Sequence, residues 1–202
     1  MTRRRTPPPG ADSWNHVTAR LRESAQARDA VPTERQRVQQ IVLEFAGRVR
    51  GRRVLDIGPE SSALARLLEK QGAEVVSTRD PLEPASPLRG PFDVVTAAHC
   101  IDDSADPEPV LRVAAKLLHP RGRIVLAIGH PWRSVPEGAT PHPAFASLPA
   151  LLACLRSAGL RLVDAAEPVC GSAAAAEKSE PRHLVLVAER TGRRTRNRGT
   201  RG

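Results

Sequence analysis

The sequence predicts a doubly wound α/β domain, a mostly parallel sheet with helices on both faces, and three observations carry that prediction. Val54-Leu55-Asp56-Ile57-Gly58 is a short apolar run closed by an acid and a glycine. A helix-like stretch from Ala63 to Lys70 and a second strand-like run from Ala73 to Ser77 follow, so the three read as an opening βαβ unit. Phe92 to Ala97 is nearly all apolar, as a strand buried on both faces requires. Beyond it, helical and strand-like segments continue to alternate up to Ala188.

Each element has its own signal. Residues 1 to 12 form a Pro- and Arg-rich arm. From Thr33 to Val49, the residues Val38, Ile41, Val42, Phe45 and Val49 recur at helical spacing, with Pro32 placed to start the helix and Gly51 to stop it. The first strand spans Arg53 to Ile57, a helix runs from Ser61 to Gln71 with Gly72 as its stop, and the second strand spans Ala73 to Thr78. The thirteen residues Arg79 to Pro91 include four prolines and can build neither a helix nor a central strand. Crossing back beneath two strands needs roughly 20 Å, and thirteen extended residues reach about 40 Å, so the sheet closes without a further unit.

After the strand Phe92 to Ala97, Asp106 reads as an N-cap with Pro107 at the first helical position. Val110, Ala114, Leu117 and Leu118 give that helix a buried stripe up to His119-Pro120. Arg121-Gly122 then turns into the strand Arg123 to Ile128, and His130 to Pro149 is a Pro-rich loop. Helix Ala150 to Ala158, strand Leu160 to Ala165, a small-residue loop around Ala173 to Ala176 and strand His183 to Ala188 complete the order, with no internal repeat.

At 202 residues the chain is one domain with tails, expected as an arm over 1–12, a folded domain over 13–189 and an Arg-rich tail over 190–202. The formal charge of +9 equals the nine arginines of the ends, Arg3 to Arg5 and the six from Arg190 to Arg201, so residues 12 to 189 sum to zero. Two readings stand for these ends. Gly, Thr, Asn and Pro around the arginines argue for solvated tails, while the arginines themselves allow salt-sensitive phosphate contacts with RNA, DNA or anionic lipid. With no aromatic for base stacking, any nucleic-acid contact there is nonspecific. Cys100, Cys154 and Cys170 are widely spaced with no CxxC pair, which suggests neither a disulfide framework nor a zinc site and fits a reducing cytoplasm. No apolar run approaches the ~20 residues that cross a bilayer, and the N-terminal residues lack the apolar stretch of a signal peptide, so a soluble cytoplasmic protein is expected.

Two segments together carry a family likeness. VLDIGPESSALARLLEKQGAEVVST (Val54 to Thr78) and FDVVTAAHCIDDSADPEPVLRVAAKLLHPRGRIVLAIGHP (Phe92 to Pro131) resemble, in order and spacing, class I S-adenosylmethionine-dependent methyltransferases of the methyltransferase-11 type. LPALLACLRSAGLRLVDAAEPVCG (Leu148 to Gly171) looks like the last helix and strand of that Rossmann-like fold, with His183 to Ala188 as its antiparallel strand. A narrower likeness is to the DREV-like protein-histidine methyltransferases, through the aliphatic run with Asp after Ala97, the Arg121-Gly122-Arg123 approach to a strand, Leu148-Pro149 and Cys170-Gly171. The aromatic residues such a site would use are absent.

The resemblance implies S-adenosylmethionine as cofactor and a degenerate site for it. Asp56 and Gly58 match the opening of the loop that passes beneath the methionine part, whereas Glu60 and Ser62 stand where two glycines are expected. The ribose-binding acid position falls on Arg79, with Asp80 one step later, and the helix and strand that normally follow are shortened or missing. Glycine serves there because backbone must approach the ligand closely. Glu60 adds bulk and a negative charge near the cofactor carboxylate, Arg79 cannot accept hydrogen bonds from a ribose, and the two are expected to pair with each other.

The cofactor-binding candidates are therefore Asp56, Gly58, Glu60, Arg79 and Asp80, and the catalytic candidates are His99 and Asp102 after the Phe92 strand and His130 after the Arg123 strand. A base is needed only where the acceptor must lose a proton. Plain readings stand beside these: His99-Cys100 as a strand-end loop and buried thiol, Asp102 and Asp103 as acids at a helix amino end, and His130-Pro131-Trp132 as a staple for the Pro-rich loop. No three of these residues have metal-ligand spacing. The function that follows is methyl transfer to a small molecule or a protein side chain. The alternative is a catalytically inactive methyltransferase-like domain kept as a scaffold, its basic ends contacting RNA or an acidic partner.

Overall fold

The computed structural model of the chain describes residues 32–58, 62–83, 88–98, 101, 107–130, 147–168 and 182–191. In chain order the elements are α1 (Glu34–Ala46), β1 (Arg53–Ile57), α2 (Ala63–Lys70), β2 (Glu74–Thr78), β3 (Phe92–Ala98), α3 (Pro107–Leu117), β4 (Leu118–Gly129), α4 (Leu148–Ser157), β5 (Leu160–Ala166) and β6 (His183–Arg190). The strands form one sheet in the order β2-β1-β3-β4-β6-β5. The first four run parallel, and β6 lies antiparallel between β4 and β5.

Alternation along the central strands divides the core between the two sheet faces. Leu55, Ile57, Val95, Ala97, Ile124, Leu126 and Ile128 pack with α3 and α4, while Val54, Val94, Val125 and Ala127 pack with α1 and α2. A strand apolar on both sides is satisfied only when helices cover both faces, so the run at Val94–Ala97 enforces three layers. This is the doubly wound, mostly parallel architecture expected from the sequence, with the last strand antiparallel.

Helix boundaries differ from the periodicity in instructive ways. α1 begins one residue after Pro32 is passed: Thr33 is the N-cap and forms a capping box with Gln36. It ends at Gly47, with φ +71, rather than at Gly51. Val49 is buried all the same, delivered by the loop. α4 starts at Leu148 behind an N-cap at Ser147, with Pro149 in its first turn, earlier than Ala150.

The largest departure is at the start of β4. Where a helix reaching His119-Pro120 and a turn at Arg121-Gly122 were expected, α3 ends at Leu117 and the strand begins at Leu118. Phe92 pairs with Leu118 but Val94 with Arg123, so residues 119–122 are absorbed as a register shift within the ladder. The turn chemistry was present in the sequence; the pairing with β3 turned it into a bulge.

Between β2 and β3 the described residues contain no helix or strand, as the prolines require. The end of this connection is held by Arg53. Its backbone N–H donates to Asp93 Oδ2 at 3.0 Å, and its Nη1 and Nη2 donate to the carbonyls of Pro91 at 3.2 Å and Arg89 at 3.3 Å. Its guanidinium lies 4.9 Å from the centroid of the buried Phe92 ring. The side chain is partly exposed and its ion pair with Glu74 is long, 3.6 Å, so that pair adds little. Arg53→Ala should lower stability by about 1–2 kcal/mol in urea denaturation, through the carbonyl bonds and the ring contact.

Asp106, Pro131 to Phe145, Ala173 to Ala176, Cys100 and Cys170 lie outside the described residues. Cys154 is buried on the core face of α4.

Candidate active site at the carboxyl rim

Parallel strands of this order leave a crevice beyond their carboxyl ends, and β1 lies between β2 and β3 there. The chain delivers Asp56 and Gly58 to that rim. Asp56 is 2% exposed, and its backbone is in direct register with Thr96 on β3. Thr96 Oγ1 donates to Asp56 Oδ1 at 2.7 Å, and Ser62 Oγ donates to Asp56 Oδ2 at 2.6 Å. Ser62 is also the N-cap of α2, its Oγ accepting from the Ala65 N–H at 2.9 Å. One buried carboxylate thereby ties β1 to β3 and to the first turn of α2. Burial pushes the Asp56 carboxyl up from its ordinary value of 3.8, and the two hydroxyl donors oppose that rise.

Gly58 follows at the end of β1. Its N–H donates to the Thr78 carbonyl at 2.8 Å, which fixes the β1 and β2 ends side by side. Among the described residues an added Cβ at Gly58 would meet nothing within 4 Å, and its φ lies outside the left-handed region. Space above the backbone, rather than an unusual dihedral angle, is what this glycine provides.

Beyond β2, Arg79 and Asp80 are exposed. Asp80 caps its own turn: Oδ1 accepts from the Leu82 N–H at 2.8 Å, and its carbonyl accepts from Thr78 Oγ1 at 3.1 Å. The carboxylate is thereby oriented at the carboxyl end of β2 with accepting capacity left over.

Further along the rim, His130 follows β4 directly and is 8% exposed. Its N–H donates to the Arg182 carbonyl at 3.0 Å, and its Nε2 lies 3.1 Å from Glu167 Oε1, just past β5. A carboxylate only accepts, so Nε2 donates in that pair. On the other side of the sheet, His183 Nδ1 lies 2.7 Å from Glu34 Oε1 and joins the start of β6 to the first turn of α1.

The Methyltransferase domain family matches this chain over residues 32–165. The chain belongs to that family. The match runs from before α1 into β5 and so contains the β1 and β2 rim. The ubiquinone biosynthesis O-methyltransferase of Xanthomonas axonopodis pv. citri is 28% identical over 156 residues, which cover 67% of this chain and 65% of that protein. The chain therefore spans about two thirds of the length of that curated relative. Among solved structures, an S-adenosylmethionine-dependent methyltransferase from Mesorhizobium loti superposes with a TM-score of 0.62 at 16% identity, covering 78% of this chain and 98% of that one. The 1,6-didemethyltoxoflavin-N1-methyltransferase of Burkholderia thailandensis, solved with 1,6-didemethyltoxoflavin and S-adenosylhomocysteine, superposes with a TM-score of 0.57 at 18% identity, covering 95% and 94%. These likenesses establish the fold, that of class I methyltransferases.

In this methyltransferase domain the sequence candidates fall into two groups. Asp56, Gly58, Arg79 and Asp80 converge on the β1 and β2 rim, and His130 sits on the same rim at β4. Glu60, His99 and Asp102 lie outside the described residues, and with Glu60 the expected pair to Arg79. Ile101, between His99 and Asp102, is buried at 2% in the α3 and α4 core. Among the described residues, no group of three or more His, Cys, Asp and Glu could hold a metal ion.

Sequence reasoning treated Ser62 only as a misplaced glycine. In the fold it caps α2 and anchors Asp56, which the spacing Ser62 to Ala65 at the start of an apolar helix could have signalled. Thr96 and Glu167 were missed because only strand register and strand order bring them to Asp56 and His130.

Proposed function

We propose that this methyltransferase domain binds S-adenosylmethionine at the carboxyl ends of β1 and β2 and transfers its methyl group to a small molecule. The observation that carries the reading is Gly58 at the rim, a buried backbone position where, among the described residues, an added Cβ would meet nothing within 4 Å. The residues present fit the cofactor in distinct ways. Gly58 offers backbone without a side chain, and Asp80 offers an oriented carboxylate with the accepting capacity that ribose hydroxyls need. Asp56, held by Ser62 and Thr96, keeps the loop opening in place. Arg79 can only donate, so its place in this reading is toward a carboxylate.

S-adenosylmethionine supplies the electrophilic methyl group, and the chain supplies alignment of the acceptor and exclusion of water. His130, oriented by Glu167, is the described candidate at the rim beside the acceptor, and His99 and Asp102 are proposed to act with it. The relative from Xanthomonas is an O-methyltransferase of ubiquinone biosynthesis, which supports a small-molecule hydroxyl over a protein side chain as acceptor. Nothing in the family match supports the inactive scaffold alternative.

Calorimetric titration with S-adenosylmethionine tests the reading. Binding tighter than about 100 μM, roughly 5.5 kcal/mol, is expected. Gly58→Ala should weaken it at least about tenfold, near 1.4 kcal/mol, while thermal stability stays level or rises by up to about 1 kcal/mol, because the backbone angle accommodates alanine. No heat at millimolar ligand would sink the proposal and restore the scaffold alternative.

A further inference from the structure

Residues 12 to 189 carry no net charge by sequence, and the fold gathers unpaired basic side chains at one end of the strand direction. The amino ends of the parallel strands and the carboxyl ends of the helices meet at one pole. There the α1–β1 loop places Arg48, Arg50 and Arg52, α2 and α3 end on Lys70 and Lys116, and Arg121 lies on the β4 bulge. All six are exposed, and none has an ion pair or side-chain hydrogen bond among the described residues. Of the acids at this pole, Glu74 pairs with Arg53, Glu189 with Arg161, Asp93 accepts from the Arg53 N–H and Glu44 accepts from Gln40, while Glu69 beside Lys70 is exposed. The opposite rim is mixed: it holds Glu34, Asp80, Glu83, Glu108 and Glu167 alongside buried Asp56, and also the exposed Arg35, Arg79 and Arg182. β6 runs antiparallel, so the chain leaves the sheet at the basic pole through Arg190, and the sequence continues with Arg193, Arg194, Arg196, Arg198 and Arg201.

Helix carboxyl ends favour cations locally, which accounts for Lys70 and Lys116. It does not account for three arginines in the six residues after α1, nor for Arg121 on a strand bulge. We propose that this pole is a docking surface for the phosphate backbone of double-stranded nucleic acid. Arginine predominates, and its planar fork matches phosphate oxygens in pairs. A membrane surface would call for apolar residues that insert between lipids. The exposed large hydrophobics among the described residues are Leu82, past the carboxyl end of β2, and Val163, within β5, and neither lies at the pole. Single-strand binding would call for several exposed stacking aromatics, whereas among the described residues the pole has the half-buried Phe45 in the last turn of α1 and Phe92, which is 0% exposed. The contact is sequence-independent. Five residues of β1 at about 3.3 Å each separate it from the carboxyl rim by roughly 17 Å, so docking leaves the rim open.

Fluorescence anisotropy of a labelled random duplex of about 30 base pairs, titrated with the full chain between about 50 and 200 mM salt, tests the surface. Binding should fall steeply with salt. The charge reversal Arg48→Glu/Arg50→Glu/Arg52→Glu should weaken it at least about tenfold and reduce the log–log salt slope by about 2 to 3. Lys70→Gln/Lys116→Gln/Arg121→Gln, which makes no reversal and touches no bonded side chain, should shift both in the same direction by less. A chain with Arg193, Arg194, Arg196, Arg198 and Arg201 all changed to Ser should keep measurable, salt-dependent binding. The proposal is overturned if both pole variants match the parent, if the tail variant loses all binding, or if the chain binds vesicles of phosphatidylcholine with phosphatidylserine but not the duplex.

Discussion

Thr96→Val should destabilise the protein by about 2–3 kcal/mol at pH 7, a large loss for replacing one hydroxyl with a methyl of similar size. Val fills the same volume, so no cavity explains the loss; the change removes the donor to Asp56 Oδ1 from a site 2% exposed. A hydrogen bond to a charged group contributes about 1.5–3 kcal/mol, and the carboxylate left behind cannot turn to water. The sign of the pH dependence follows from the raised Asp56 carboxyl. A group whose native pKa lies above its unfolded value favours folding most at low pH, and that contribution is lost as pH rises through the native pKa. Removing a donor that stabilises the charged form raises the native pKa further. The deficit of Thr96→Val should therefore be smallest at pH 4 and grow toward pH 7. In an Asp56→Asn background the same change should fall to the neutral hydrogen-bond range, about 0.5–1.5 kcal/mol. Urea denaturation of the four proteins at both pH values measures this, and an equal deficit at pH 4 and pH 7 would show that Asp56 is not the group Thr96 serves.

Gly122→Ala should cost about 2–3 kcal/mol. An added Cβ would lie 2.8 Å from the Asp93 carbonyl oxygen and 2.9 Å from Leu118 Cδ1 and Cγ. Leu118 is a buried core side chain, and Asp93 belongs to β3 and holds the Arg53 N–H, so neither neighbour yields cheaply. The affected site is the register shift that sets how far β4 reaches along β3, and hence where His130 emerges on the rim. A denaturation midpoint equal to that of the parent would mean the bulge relaxes freely.

These two sites mark different limits of sequence reading. Asp56 and Gly58 were legible as rim residues because an apolar run closed by an acid and a glycine, then a helix, has few structural solutions. Thr96 was not, since a hydroxyl inside an apolar strand shows no partner until β1 and β3 align Asp56 with it. At Arg121-Gly122 local turn chemistry pointed one way and the β3 ladder another. Hydrogen bonding across strands outweighed a local preference worth a fraction of it. The prolines of residues 79–91 excluded a regular unit at once, but that Arg53 would hold the carbonyls of Arg89 and Pro91 depended on strands β1 and β3 being neighbours. Glu167 could not be read as the partner of His130 for the same reason, because β6 stands between their strands in the sheet order.

By itself the sequence determined the layers and the strand sequence, because period-2 and helical apolar patterns and proline exclusions act within a few residues of chain. It likewise determined which residues end the first two strands. Only the tertiary structure decided the register, the partners of Asp56 and His130, and the gathering of arginines at one pole, although residues 12 to 189 sum to zero charge. Those depend on residues far apart in the chain meeting across strands, and a linear pattern of charge and hydropathy contains no distances.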